Sequence, residues 1–223
     1  MFNDRYGLTA AVLQGCKTMT RRVIPEKIVN HFEKQYGEVD VKHNKEYQTF
    51  TFFNCSAGSK PEDHLWVPCR ILEPLKAAPY KIGEEIAVAQ CYEDIWKQMV
   101  NGEAHANQCY KFYREHQSSA GWNNKMFVRA DIMPHQIKIT YIKVEQLQDI
   151  TDWECLAEGI YIDESSPSCY YPFYTFKNSF VQRTPLGWDN AIDAFAALID
   201  KVSGKGTWEN NPYCFCYEFK LVK

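Results

Sequence analysis

The chain has 223 residues, of which 45% are hydrophobic and 24% are charged, and its formal net charge is −3. This composition excludes a disordered or collagen-like chain. The near-neutral charge excludes a basic coat over the whole surface, so any contact with nucleic acid requires a local basic patch. The sequence has no apolar run of about 18 residues and no apolar signal core, which predicts a cytoplasmic protein that does not enter a membrane.

The cysteine pattern argues against a disulfide framework. The sequence contains nine cysteines, an odd number, and no Cys-x-x-Cys pair. Reduced cysteines that act as small hydrophobic residues are the simplest interpretation. Ligand pairs at zinc-finger spacing are missing, so we predict no metal site, and no organic cofactor is implied.

The first elements predicted along the chain are a helix and a strand. The helix covers residues 5–14 and ends at Gly15, a residue suited to a helix stop. An extended segment follows over residues 17–24. Alternation predicts two faces for this segment, with Thr18, Thr20 and Arg22 on one and Met19 and Arg21 on the other.

The middle of the chain mixes strands and helices. Alternation over residues 37–53 predicts a hairpin, and residues 86–91 are predicted to form a strand. Residues 92–117 have a helical pattern that is interrupted at Gly102. Residues 125–129, which are basic and apolar, are predicted to form a strand.

The last third begins with a strand over residues 137–142. Thr151 and Glu154 form a capping box, which predicts a short helix that ends near Glu158. An apolar stripe predicts a longer helix over residues 189–202, and strict alternation predicts a final strand over residues 213–222. The simplest organisation is a single α+β domain over residues 1–223, with insertions near 25–78 and 161–190.

The densest group of chemically useful side chains follows the first helix. Lys17, Arg21 and Arg22 place three positive charges within six residues that contain no negative charge. Such a segment can present cations and hydroxyls to a phosphate or a base edge, although a solvated basic strand has the same composition. Lys205, which lies between two glycines, can also contact a phosphate, or it can simply follow a helix stop.

The spacing in the first segment resembles the signature of a known family. Gly15-x-Lys17-x-x-Thr20-x-Arg22 is similar to the Gly-x-Lys-x-x-Thr-x-Arg motif of the ASCH family, a branch of the PUA-like superfamily. Further segments resemble the same family in the same order, and residues 204–212 look like its phage-encoded members. These further segments are residues 80–84, 144–151, 157–160 and 217–220.

The resemblance implies a PUA-like β-barrel of about five to seven strands with flanking helices and a cleft. It implies that RNA or a modified nucleoside or nucleotide binds around Lys17, Thr20, Arg22 and Glu158. The ligand-binding residues predicted on this basis are Gly15, Lys17, Arg21, Arg22 and Lys205. The oligomeric state stays open.

One branch of the family implies catalysis. That branch removes the acetyl group from acetylcytidine, and its catalytic lysine, threonine and glutamate match Lys17, Thr20 and Glu158. An amide hydrolysis could then use Lys17 as the base, Thr20 as the nucleophile or as a residue that positions water, and Glu158 as the acid or as a partner of the cytosine edge. Two noncatalytic alternatives stand beside it, namely ligand binding alone and a structural or partner-binding role.

Overall fold

A computed structural model describes residues 2–27, 39–44, 49–54, 78–102, 104–163, 173–177, 180–181, 184–185 and 187–222. Most of the insertion predicted near 25–78, and part of the one predicted near 161–190, lies outside these residues. The parts of the insertions that are described include three two-stranded antiparallel pairs.

The chain forms five helices and ten strands within the described residues. The helices are α1 (Leu8–Leu13), α2 (Tyr92–Asn101), α3 (Ala106–His116), α4 (Asp152–Ala157) and α5 (Ala191–Ser203). The strands are β1 (Met19–Val23), β2 (Val39–Asn44), β3 (Thr49–Asn54), β4 (Glu85–Ala87), β5 (Gln136–Gln146), β6 (Tyr161–Asp163), β7 (Phe173–Thr175), β8 (Phe180–Val181), β9 (Thr184–Pro185) and β10 (Tyr213–Leu221).

The main sheet has four antiparallel strands in the order β1-β10-β5-β4. A register shift between Glu218 and Phe219 in β10 interrupts the ladder with β5, and such irregularities bend a strand. The antiparallel sheet is curled into a half-barrel and is accompanied by a few helices. This combination confirms the predicted α+β class. A closed PUA-like barrel of five to seven strands goes beyond this half-barrel and stays a prediction.

Each face of the sheet supports a separate core. Alternation along β10 sends Cys214 and Cys216 into a cluster with α4 and α5, which includes Leu147 and Phe195. The intervening residues of β10 join a second cluster on the other face, together with Val12 of α1. β1 pairs with β10 at the edge of this sheet. Its two faces therefore continue those of β10 and border the two different cores.

Several predicted elements are confirmed. The hairpin predicted over 37–53 is the β2–β3 pair, and the predicted helix break at Gly102 separates α2 from α3. The capping box of Thr151 and Glu154 is present at the start of α4. The helix predicted over 189–202 corresponds to α5, and the final strand corresponds to β10.

Two predicted strands are wrong in extent or type. The strand predicted over 86–91 is only β4, which ends at Ala87, because Cys91 is already the N-cap of α2. Residues 125–127 form a 3-10 turn instead of a strand, because the Asn124 side chain accepts a hydrogen bond from the Met126 amide and caps the turn. No helix in the described ranges has the length and apolar character needed to cross a membrane.

Candidate functional site

Lys17 reaches the interior because the chain turns sharply after α1. Gly15 adopts a positive φ of 73°, and the amides of Cys16 and Lys17 both donate to the Ala11 carbonyl. A left-handed residue just past a helix end is typically glycine, which has no Cβ to clash. The Thr18 amide then donates to the Ala157 carbonyl at 2.9 Å, which holds this turn against the end of α4.

Glu158, at the end of α4, binds Lys17 through two groups. The Lys17 Nζ donates to the Glu158 carboxylate oxygen Oε2 at 2.7 Å and to its backbone carbonyl at 2.6 Å. The second contact satisfies a carbonyl at the negative end of a helix, where a cation is favoured. Gly159 follows with a positive φ of 107°, and a Cβ there would lie only 3.0 Å from Leu8, whereas its 3.6 Å from the Lys17 stem would be an ordinary contact.

Arg21 extends the ion pair into a network below the sheet. Its Nη1 donates to Glu158 Oε1 at 3.2 Å, and its Nη2 donates to Glu154 Oε2 at 3.2 Å and to Glu145. Lys143 on β5 completes the network by contacting both Glu145 and Glu154. The cluster therefore joins β1, β5 and α4 through side chains.

The network balances three basic groups against three carboxylates in a region that excludes water. Only 2% of Lys17, 6% of Arg21 and 5% of Glu158 is exposed. Burial lowers the pKa of Lys17, opposed by Glu158 and assisted by the neighbouring arginines. Since charged groups out of water lose several kcal/mol of hydration each, this arrangement is stable only because every charge has a partner.

A cavity of about 870 Å³ opens beside this cluster. The edge strand β1, the N-terminal segment, the second half of α5 and the turn after α5 form its walls. Lys17, Thr20, Arg21, Arg22 and Glu158 all line it. The cavity, called the main pocket below, has the volume of a small-molecule site.

Lys125 fixes the N-terminal wall of the main pocket. Its Nζ forms an ion pair with Asp4 at 2.7 Å and donates to the Phe2 carbonyl and to Thr9. The Phe2 ring lies 5.8 Å from the Lys17 Nζ, within the range of a cation–π contact. The 125–127 turn therefore holds an aromatic ring over the buried lysine.

The structure brings together most of the residues predicted for the site. Lys17 and Glu158, which are 141 residues apart, are in direct contact, and Thr20 and Arg22 line the same pocket. Arg21 also lines it, but its guanidinium is bound by carboxylates. Alternating burial along β1 matches the predicted separation of Thr20 and Arg22 from Met19 and Arg21.

Two predicted ligand-binding residues do not line the main pocket. Gly15 lies in the turn after α1, and Lys205 is exposed in the turn after α5. The backbone amides beside Lys205 are already bound, because the Asp200 carboxylate accepts from Gly206 at 3.0 Å and from Trp208 at 2.9 Å. The contribution of that turn to the pocket wall is Thr207 and Asn210.

Sequence reasoning missed Lys143, Glu145 and the second role of Glu154 in the network. Lys143 and Glu145 alternate along β5, but alternation alone does not tell which face is buried. Glu154 was predicted only as a capping residue, and it performs that role while also binding Lys143 at 2.6 Å. Lys125 was missed because the turn that carries it was predicted to be a strand.

Comparisons with family models, with curated proteins and with solved structures find no match to this chain. The resemblance to the ASCH family therefore rests on the motifs quoted above. Within the described residues, no group of three or more His, Cys, Asp or Glu side chains is placed to hold a metal ion.

Acid should weaken the network through Glu154. Burial alone would raise the pKa of Glu154, but hydrogen bonds from Lys143 and Thr151 and the charge of Arg21 hold it below its ordinary value of 4.5. A lowered pKa in the folded state gives stability that is present above the unfolded pKa and lost as the pH falls through the folded one. In urea titrations from about pH 6 to about pH 3, we expect the stability difference between wild type and Glu154→Gln to shrink.

The matched control for this experiment is Glu115→Gln on α3, since exposed ion pairs contribute little. A stability difference between wild type and Glu154→Gln that stays constant over this pH range would contradict the assignment of Glu154 to the charged network.

The Lys17–Glu158 contact should show coupling in a double-mutant cycle. Lys17→Met should lower the free energy of unfolding by about 3 kcal/mol, because Glu158 keeps only Arg21 as its cation. Lys17→Met combined with Glu158→Gln should be less destabilising than the sum of the single changes by about 1–3 kcal/mol. Additivity within about 0.5 kcal/mol, measured by urea unfolding at pH 7, would contradict a direct interaction.

Proposed function

We propose that the main pocket binds a nucleotide, either free or as part of single-stranded RNA, with a modified base as the preferred form. The observation that carries this proposal is the charge of the pocket lining. Five lining side chains are basic, namely Arg5, Lys17, Arg21, Arg22 and Lys125, and two are acidic, namely Asp4 and Glu158. This excess of positive charge occurs in a protein whose overall charge is negative.

The positive side chains have different tasks. Lys17 and Arg21 are held by carboxylates within the charge-balanced network, so they shape the pocket wall and add little net positive charge to it. Arg22 lies on the opposite face of β1 from Arg21 and is only half-buried. A half-buried arginine at a pocket edge suits bidentate binding of a phosphate.

The apolar part of the pocket suits the base. Phe2 stands on one side, and Phe195, Leu198 and Ile199 of α5 stand on another. A pocket lined by apolar side chains and by basic side chains matches the base and the phosphate of a nucleotide. Aromatic side chains such as Phe2 also provide surfaces on which bases stack.

Binding measurements with a nucleoside and its phosphate test this proposal. We expect cytidine 5′-monophosphate to bind more tightly than cytidine, and Arg22→Gln to weaken nucleotide binding by about tenfold while it changes cytidine binding little. Isothermal titration calorimetry at two salt concentrations measures both effects. A single-stranded RNA of eight nucleotides should show the steeper salt dependence if several phosphates are bound.

The matched control is Arg114→Gln, an exposed arginine on α3 that does not line the main pocket. Its affinity for the nucleotide should equal that of wild type. Equal affinities of cytidine and its monophosphate in every variant, or no binding of either, would reject the proposal.

A second candidate function is hydrolysis of an acyl group from a nucleobase amine, and the Lys17–Glu158 contact favours it. Burial lowers the pKa of Lys17, and one proton moving across the 2.7 Å contact converts the ion pair into a neutral amine and a neutral acid. The amine can take the Thr20 proton as Thr20 attacks the acyl carbon, and the acid can protonate the leaving amine. Water then hydrolyses the Thr20 ester and releases a carboxylic acid.

Mass-spectrometric turnover of acetylcytidine tests the second candidate. Thr20→Val should lower kcat by at least about a hundredfold, because it removes the nucleophilic hydroxyl and keeps the branched shape of the side chain. Thr18→Val is the matched control, since Thr18 is also half-buried but does not line the main pocket. Absence of turnover by wild type would reject hydrolysis of this substrate, and full turnover by Thr20→Val would reject the nucleophile.

A further inference from the structure

A second, smaller cavity of about 40 Å³ adjoins the main pocket at β1. It is called the side chamber below and is lined by Tyr80, Ile86, Ala89, Ile137, Ile139 and Tyr217. Phe2, Thr20 and Arg22 line both cavities. The two spaces therefore meet at the face of β1 that carries the predicted threonine and arginine.

Among the described residues that line the side chamber, three carry a hydroxyl, namely Thr20, Tyr80 and Tyr217. The Tyr217 side chain is fully buried, and no group in the described part of the chain accepts a hydrogen bond from its Oη. A buried hydroxyl without a partner loses about 1–3 kcal/mol relative to one that is hydrogen-bonded. Such an atom beside a cavity is well placed to bind a group that enters the cavity.

The protonation state of this hydroxyl favours a neutral partner. Burial raises the pKa of Tyr217 to about 12, partly opposed by the Tyr80 backbone and the Arg22 charge. The hydroxyl therefore keeps its proton at neutral pH and can donate a hydrogen bond. The remaining walls are mostly aliphatic, and Arg22, the charged side chain that lines both cavities, is assigned to the phosphate in the main pocket, so a charged substituent would lose its hydration here with little compensation.

The size of the side chamber limits the entering group. By the volume that one buried water needs, about 40 Å³ holds roughly three atoms of water size. This space is too small for a ring but fits a substituent of two or three non-hydrogen atoms. The phosphate of the same ligand would remain in the main pocket, where the basic side chains lie.

We propose that the side chamber is a subsite for a small neutral substituent on the bound nucleobase, with the Tyr217 hydroxyl as its hydrogen-bond partner. The inference rests on the proposed function, because a nucleotide in the main pocket delivers the substituent. Hydroxymethyl and acetyl groups have the required size and one polar atom. A methyl group has similar shape at its point of attachment but offers no hydrogen bond.

The test compares nucleoside 5′-monophosphates whose bases carry no substituent, a methyl, a hydroxymethyl or an acetyl group. Isothermal titration calorimetry should give wild type a three- to tenfold preference for the hydroxymethyl or acetyl form over the methyl form. Tyr217→Phe should remove that preference and leave the affinity for the unsubstituted nucleotide unchanged. Tyr92→Phe, which removes a hydroxyl from another buried tyrosine outside both cavities, should keep it.

Two further measurements separate binding from a structural role. Ala89→Leu, which fills the side chamber, should weaken binding of the substituted nucleotides about tenfold and spare the unsubstituted one. The thermal midpoint of ligand-free Tyr217→Phe should equal or exceed that of wild type, since it loses an unpartnered hydroxyl. A lower midpoint would assign the hydroxyl to folding and overturn the inference.

The outcomes distinguish this inference from the proposed function. If nucleotides bind but Tyr217→Phe keeps the wild-type preference, or if Ala89→Leu weakens all forms equally, the side chamber is not a subsite and only the inference falls. If no nucleotide binds to wild type, the proposed function falls and the inference falls with it.

Discussion

The contact of Glu158 with two cations is the constraint on which the rest of the site depends. Its carboxylate binds Lys17 and Arg21 on different oxygens, and its carbonyl also accepts from Lys17. These contacts tie the turn after α1 to the end of α4 and to β1. Because a buried charge needs a partner, the three elements cannot separate without exposing or orphaning a charge.

The network also explains why one strand can serve two purposes. Arg21 points to the core beneath the sheet and is held by carboxylates where it borders the main pocket, whereas Thr20 and Arg22, on the other face of β1, line both cavities. A strand places neighbouring residues on opposite faces, so residues of the network and the residues shared by the two cavities alternate. The basic segment 17–22 is thus neither wholly a solvated face nor wholly a binding surface.

Local signals in the sequence were sufficient for much of the fold. The capping box of Thr151 and Glu154, the alternation of β10 and the break at Gly102 each act over a few residues, and each was predicted. The pairing of Lys17 with Glu158 could be expected only from the family resemblance, because nothing local connects residues 141 positions apart.

Other parts of the site depended on information that a local pattern does not contain. Glu145 and Lys143 fit any half-buried strand, and it is the pairing of β5 with β10, and of β10 with β1, that places them on the same face of the sheet as Arg21. Lys125 depended on a side-chain cap at Asn124, which overrode the strand pattern of the residues that follow. Lys205 was predicted to bind a ligand because it lies between two glycines, but the Asp200 carboxylate of the preceding helix already accepts a hydrogen bond from the Gly206 amide.

The Asp200 carboxylate holds one wall of the main pocket in place. Asp200 accepts hydrogen bonds from two amides in the turn after α5, and hydrogen bonds from the same turn lower the pKa of Asp200. The loop that supplies Thr207 to the pocket wall is therefore already shaped before any ligand arrives. A ligand bound in this pocket would therefore not need to order this loop, and the entropy that a flexible wall loses on association would be spared.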